Sequence, residues 1–240
     1  MRSLFRGFER AGLEYLLISG QAAILYGAAT FSEDIDIWIR PTPENAARLL
    51  RALAGCGARV YKLTPPLTRR TLMLGHGFHF VIPAHPAPAY VDVMGRPPRV
   101  GSFHSARRRA RIMPTSWGRI PVVSIEDLIA LKLTRRLSDY EVISNLVRVR
   151  LAEEVPPTRA LLRWAIAHSF RAEDRGELAR QLGIPAPAEG WHHRILAEIS
   201  RLQSRDSAYW RRVIGDLRRL RRGKRLLPEG TLVSRLAPTR

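Results

Sequence analysis

Residues 14–40 read EYLLISGQAAILYGAATFSEDIDIWIR, and the order of residue types along this stretch decides the fold. YLLIS (15–19) is an apolar run of strand length, GQAAILYGAAT (20–30) is rich in small residues, and DIDIWI (34–39) alternates polar with apolar. This is the pattern of a strand, helix, strand unit. Successive side chains of a strand point to opposite faces, so Asp34 and Asp36 project to one side and Ile35 and Ile37 to the other. Two carboxylates this close repel unless a cation lies between them, and Mg²⁺ or Mn²⁺ with phosphate oxygens is the environment they suit.

Downstream, Thr42 as N-cap, Pro43 at the first position and Glu44 in the first turn open a helix that runs to the Gly55-Cys56-Gly57 break, with ARVYKL (58–63) following as a strand. FHFVIP (78–83) and AYVDVM (89–94) read as two strands joined across the proline-rich AHPAP, which brings an antiparallel component into the sheet. Asp92 interrupts an apolar strand, where a lone charge is costly without a partner. It is the candidate third carboxylate of a two-metal clamp; the alternative is a local cap or salt bridge. Upstream, Ser19-Gly20 ends the first strand and opens the helix, so backbone N–H groups face the same cleft as the acids and suit a triphosphate. A Ser-Gly turn also serves any tight connection.

After IPVV (120–123), Ser124 caps a helix over IEDLIALKLTRRL, with Asp127 three residues on, and a second helix begins at Ser138. Pro156-Pro157 marks a boundary, beyond which the pattern turns helical in four segments: TRALLRWAIAHSF, EDRGELARQL, HHRILAEISRL and DSAYWRRVIGDLRRLRR. The expected organisation is a core over 1–155, a helical C-terminal region over 156–222 and a flexible tail over 223–240.

The 240 residues, 45% of them hydrophobic, are enough for a buried core. One cysteine, Cys56, makes neither an internal disulfide nor a zinc cage, and neither a signal peptide nor a membrane span is apparent, so a soluble cytoplasmic protein is expected. A net charge of +19 draws the chain toward polyanions, although a genome rich in G and C also inflates arginine. The run YWRRVIGDLRRLRRGKR spaces Val213, Ile214, Leu217 and Leu220 for one packed helix face and leaves an arginine-rich one; that face suits tRNA, an acidic antitoxin or plain solvent. His76 and His79 in LGHGFHF lack a third ligand at metal spacing. His76 is a candidate nucleotide contact, against the more ordinary structural histidine. His192 and His193 fit a helix start.

Taken together, ISGQAAILYGAATFSEDIDIWI (18–39) resembles the first motif of the DNA polymerase β nucleotidyltransferase superfamily: Gly followed by Gly or Ser, a helix, then Asp-x-Asp. IPVVSIEDLIALKLTRRLSDYEVISNL (120–146) resembles the segment after the core in minimal nucleotidyltransferases and abortive-infection-type toxins of toxin-antitoxin pairs. There a helix carrying Asp-Leu and Lys precedes an Arg and an Asp that face the active site, the places of Asp127, Lys132, Arg136 and Asp139 here. The resemblance spans about residues 14–150. It implies an α/β (α+β) fold with a polymerase-β-like mixed sheet followed by helices, and transfer of a nucleoside monophosphate from an NTP to a hydroxyl. Asp34, Asp36 and Asp92 would be catalytic and hold Mg²⁺ or Mn²⁺; Ser19, Gly20, Gln21, Ser32, Lys132, Arg136 and Asp139 would contact the nucleotide. RNA, tRNA in particular, or a protein would be the acceptor, with a toxin restrained by an antitoxin. Gln21 departs from the family's Gly or Ser, and Thr30 and Ser32 stand where many relatives carry Arg and Thr. Lys132 has two readings, a charge for the triphosphate or a partner for Asp139. The rival for the whole chain is a non-catalytic nucleic-acid-binding protein on the same fold. A dinucleotide-binding Rossmann unit is set aside, because SGQAAILYG lacks G-x-G-x-x-G.

Overall fold

The computed structural model describes residues 1–84, 86–187 and 190–236. Among these, seven strands form one mixed sheet: β1 (Tyr15–Leu17), β2 (Asp34–Ile39), β3 (Arg59–Val60), β4 (Gly77–Ile82), β5 (Ala89–Met94), β6 (Arg111–Thr115) and β7 (Gly118–Val122), in the order β3-β4-β5-β2-β1-β7-β6. β2 runs parallel to β5 and β1 to β7, and the other neighbours are antiparallel. The helices are α1 (Arg2–Arg10), α2 (Ser19–Leu25), α3 (Pro43–Ala54), α4 (Arg69–Leu74), α5 (Phe103–Arg109), α6 (Ile125–Lys132), α7 (Leu137–Ala152), α8 (Arg159–His168), α9 (Ala172–Leu182) and α10 (Trp191–Arg222). A mixed sheet followed by a helical C-terminal region is the architecture that the sequence leads one to expect.

Register divides the sheet into two chemistries. Ile35 and Ile37 of β2, Val91 and Val93 of β5 and Phe78 and Phe80 of β4 share one face and are all buried. Packing them removes six large apolar side chains from water at roughly 1.5–3 kcal/mol each, so a one-residue slip of β2 or β5 would be prohibitive. Phe5 and Phe8 of α1 meet Tyr15, which is in register with Ile39, and thereby close α1 over this face. The register thus forces Asp34, Asp36, Asp92 and His79 together on the opposite face.

Three differences from the sequence reading have physical causes. α1 lies ahead of the first expected element, carried by Leu4, Phe5 and Phe8 on one buried face among surface charges. The two helices expected between 192 and 222 are one 32-residue helix, α10; no Gly or Pro breaks the chain from Leu202 to Asp206, and Asp206 is buried in an ion pair with Arg99. Lastly, residues 223–236, expected as a flexible tail, run back along β3. Val60 N–H donates to Thr231 O, Val233 N–H to Ala58 O and Leu227 N–H to Thr64 O, and Val233 is fully buried. Backbone pairing rather than side-chain period holds this segment, and it covers the β3 edge. Residues 237–240 of that expected tail lie outside the described residues. Among the described residues, no helix is long and apolar enough to cross a membrane.

Candidate active site

Asp36 stands directly across from Asp92 in the parallel β2/β5 pair, and Asp34 lies two residues along the same face. His79 is opposite Asp92 in the antiparallel β4/β5 pair, with Nδ1 2.8 Å from Asp92 Oδ1. These side chains floor an open cleft of about 980 Å³, a size suited to a small-molecule ligand. Ser19, the first residue of α2, is held at φ 59° and lies near enough to Asp36 for its hydroxyl to favour that carboxylate. A left-handed serine is strained, and such backbone concentrates at working sites.

Crowding shows in the acidities. Burial first, then the neighbouring Asp92 and Asp34 charges, push the Asp36 carboxyl up to about 6, against the opposing Ser19 bond and Lys132 charge. Asp34 is also raised, by burial and by Asp92 and Glu33, with Lys62 and Arg136 acting in the other direction. Three acids therefore share one negative field. Even so, among the described residues no group of three or more His, Cys, Asp or Glu side chains forms a ready metal cage. The acids converge as a floor; their side chains do not close on one point.

Lys132, at the end of α6, is buried with Nζ 3.0 Å from Asp139 Oδ1, while Thr134 holds the other oxygen of Asp139. Its charge also reaches Asp36, so the two readings of Lys132 are compatible. Arg136, the N-cap of α7, is exposed on the cleft wall and bears on Asp34. Gly20 and Ser32 line the cleft too. A Cβ on Gly20 would lie 2.7 Å from Ser32 Cβ and closer still to its Oγ, so glycine is required there by the approach of Ser32.

Other expected residues are placed differently. Gln21 is buried, donates from Nε2 to Ser32 O and does not line the cleft; it pins the loop that carries Ser32. Asp127 is capped by Ser124 and held by two nitrogens of Arg109, away from the acids. His76 is the structural histidine of the two readings: fully buried, it meets Asp216 of α10 at 2.9 Å. His79, set aside in the sequence as half of a metal pair, is the residue that the structure adds to the acids. The signal was present, since an antiparallel pairing of FHFVI with AYVDVM sets the two polar residues of these strands side by side. Sequence reasoning also missed the far wall, where Gly75, Gly77, Trp210 and Val213 line the cleft.

No family model matches the chain, and no curated protein matches it. A structure from Thermotoga maritima named as a candidate nucleotidyltransferase overlaps it with 18% identity and a TM-score of 0.37, covering 65% of this chain and 87% of the other. ANT(2″)-Ia, solved with adenylyl-2″-tobramycin, overlaps it with 13% identity and a TM-score of 0.37, covering 85% of this chain and 94% of the other. Overlaps of that extent say nothing about what this chain binds or transfers.

Proposed function

We propose that the protein is a metal-dependent nucleotidyltransferase that moves a nucleoside monophosphate from an NTP to a hydroxyl of RNA, tRNA included, or of a protein. The observation that carries this reading is the in-register Asp36–Asp92 pair with Asp34 beside it, a polar face on an otherwise apolar sheet. Idle carboxylates crowded in this way only destabilise a fold.

Asp34, Asp36 and Asp92 would hold Mg²⁺ or Mn²⁺, which fits a set of carboxylate oxygens on one face of two paired strands. A bound ion would lower the pKa of the attacking hydroxyl and offset charge on the leaving pyrophosphate. In the protein itself, the Ser19 hydroxyl favours the Asp36 carboxylate and His79 orients Asp92. Lys132 and Arg136 supply positive charge on the α6–α7 side of the cleft, where the triphosphate is placed in this reading. The acceptor hydroxyl then gives up its proton to water and its oxygen bonds the α-phosphorus as the bond from that phosphorus to the bridging oxygen breaks, and pyrophosphate leaves in line. The same reading extends to a cytoplasmic toxin restrained by an antitoxin.

The test is incubation of purified protein with each labelled NTP, Mg²⁺, and total RNA or lysate. Label transferred to a macromolecule and lost in Asp36→Ala supports the reading, and no transfer with all four nucleotides contradicts it. Among the described residues no three His, Cys, Asp or Glu side chains close on one point, which favours a second reading, a nucleic-acid-binding protein that keeps the fold without catalysis. RNA binding with no Mg²⁺-dependent NTP affinity would select it.

A further inference from the structure

Between residues 203 and 225 the chain carries nine arginines and lysines and two acids. Both acids, Asp206 and Asp216, are buried and turned inward, toward Arg99 and toward Arg70, His76 and Arg219. Elsewhere exposed arginines pair with surface acids, as in Arg40–Glu14 and Arg180–Glu177. Arg211, Arg218, Arg221 and Arg222 are exposed and form no ion pair among the described residues. Codon bias raises the number of arginines but does not sort acids from bases across a helix. The helix dipole accounts for cations in the last turn, Arg219 to Arg222, and leaves Arg211 and Arg218 unexplained.

At 100° per residue, Trp210, Arg211, Ile214, Arg218, Arg221 and Arg222 fall within about 120° of one another, opposite the buried Val213, Asp216 and Leu220. The stripe is about 18 Å long. Its first residue is the one that reaches the cleft: Trp210 lines it and is 39% exposed, and its neighbour Tyr209 is anchored by a hydroxyl bond of 2.8 Å to Gly75 O. An aromatic ring at the mouth followed by a line of unpaired guanidinium groups is the arrangement that binds a single-stranded nucleic acid, base on ring and phosphates on cations. A duplex would keep its bases stacked away from the ring.

We propose that the solvent face of α10 is a track for single-stranded nucleic acid, with a base stacked on Trp210 at the cleft and the backbone running over Arg218, Arg221 and Arg222. The proposal rests on the transferase reading only in naming this strand as the acceptor; the binding itself stands apart from catalysis. It is tested by fluorescence anisotropy with a labelled 12-nucleotide single-stranded RNA of mixed sequence, on the full chain. Trp210→Ala weakens binding about tenfold and Trp210→Phe restores most of it. Arg218→Glu/Arg221→Glu/Arg222→Glu weakens it far more and flattens the slope of log affinity against log salt by about 2. The same charge reversal at exposed Arg107, Arg108 and Arg119 has a much smaller effect and leaves Trp210 dependence intact, and circular dichroism verifies folding of each variant. Equal binding by wild type and both α10 variants overturns the proposal. So does displacement of the RNA by polyglutamate together with indifference to Trp210→Ala, which would assign the face to an acidic protein. If Asp36→Asn abolishes transfer and keeps this RNA binding, both readings stand; if RNA binds here and no transfer occurs under any condition, the catalytic reading alone fails.

Discussion

Nδ1 of His79 lies 2.8 Å from Oδ1 of Asp92, across two antiparallel strands whose register sets the two side chains next to one another on one face. A ring N–H donated to one carboxylate oxygen fixes the rotamer of Asp92 and leaves its second oxygen for the cleft.

His79→Ala is therefore expected to reduce nucleotidyl transfer about 10- to 100-fold, with much of the loss recovered at high Mg²⁺. His79→Asn, which retains a donor, recovers part of it. A Mg²⁺ titration of initial rates separates this from a folding defect, which metal would not correct.

Asp36 carries a stability cost that depends on pH. Its carboxyl is raised from 3.8 to about 6, so the folded state favours the neutral form; that contribution is fully present below about pH 4 and lost as pH rises through 6. The displacement corresponds to roughly 2–3 kcal/mol at neutral pH. Asp36→Asn should accordingly melt higher than wild type at pH 8 in the absence of metal and no higher at pH 4, and Mg²⁺ with NTP should narrow or reverse the order at pH 8.

Gly20→Ala forces a methyl into Ser32. The clash must displace the 27–33 loop, at an expected cost of about 1–3 kcal/mol, and weaken NTP binding more than the stability loss explains. Ser32→Gly in the same chain removes the obstacle. Urea midpoints of the single and double variants decide this, and a double variant no better than Gly20→Ala would contradict it.

Asp216 acts in the opposite sense to Asp36. Burial alone would raise it, but Arg70, His76 and Arg219 outweigh burial and lower it to about 2. Its contribution is present above about pH 4 and lost as pH falls toward 2. With screening at the exposed Arg70 and Arg219 allowed for, this is roughly 1–2 kcal/mol. Asp216→Asn should be destabilised by that amount at pH 7, the gap closing in acid, and proteolysis should cut the C-terminal half of α10 sooner.

How far the sequence reaches depends on whether a feature is local. Alternation in DIDIWI and AYVDVM put Asp34, Asp36 and Asp92 in view, and Thr42-Pro43 with Gly55 bounded α3 nearly to the residue. Lys132 with Asp139 was legible because both lie on neighbouring helix ends, seven residues apart. What stayed hidden depends on contacts between distant segments. The role of His79 needed the β4/β5 register, and the dependence of Gly20 on Ser32 needed the loop's approach. The ion pair of Arg99 with Asp206 bridges 107 residues, and it draws α10 against the cleft. Gln21 shows the converse: its place in the motif suggested a ligand contact, and its side chain is instead buried under the loop, donating to Ser32 O.

Calorimetric titration of NTP, with and without Mg²⁺, into wild type, Asp36→Asn and Asp92→Asn tests the account most directly. The account predicts that wild type binds NTP tightly only with Mg²⁺, and that either substitution, in a protein that still folds, removes the Mg²⁺-dependent part. Binding that ignores Mg²⁺, or that survives both substitutions unchanged, would contradict it.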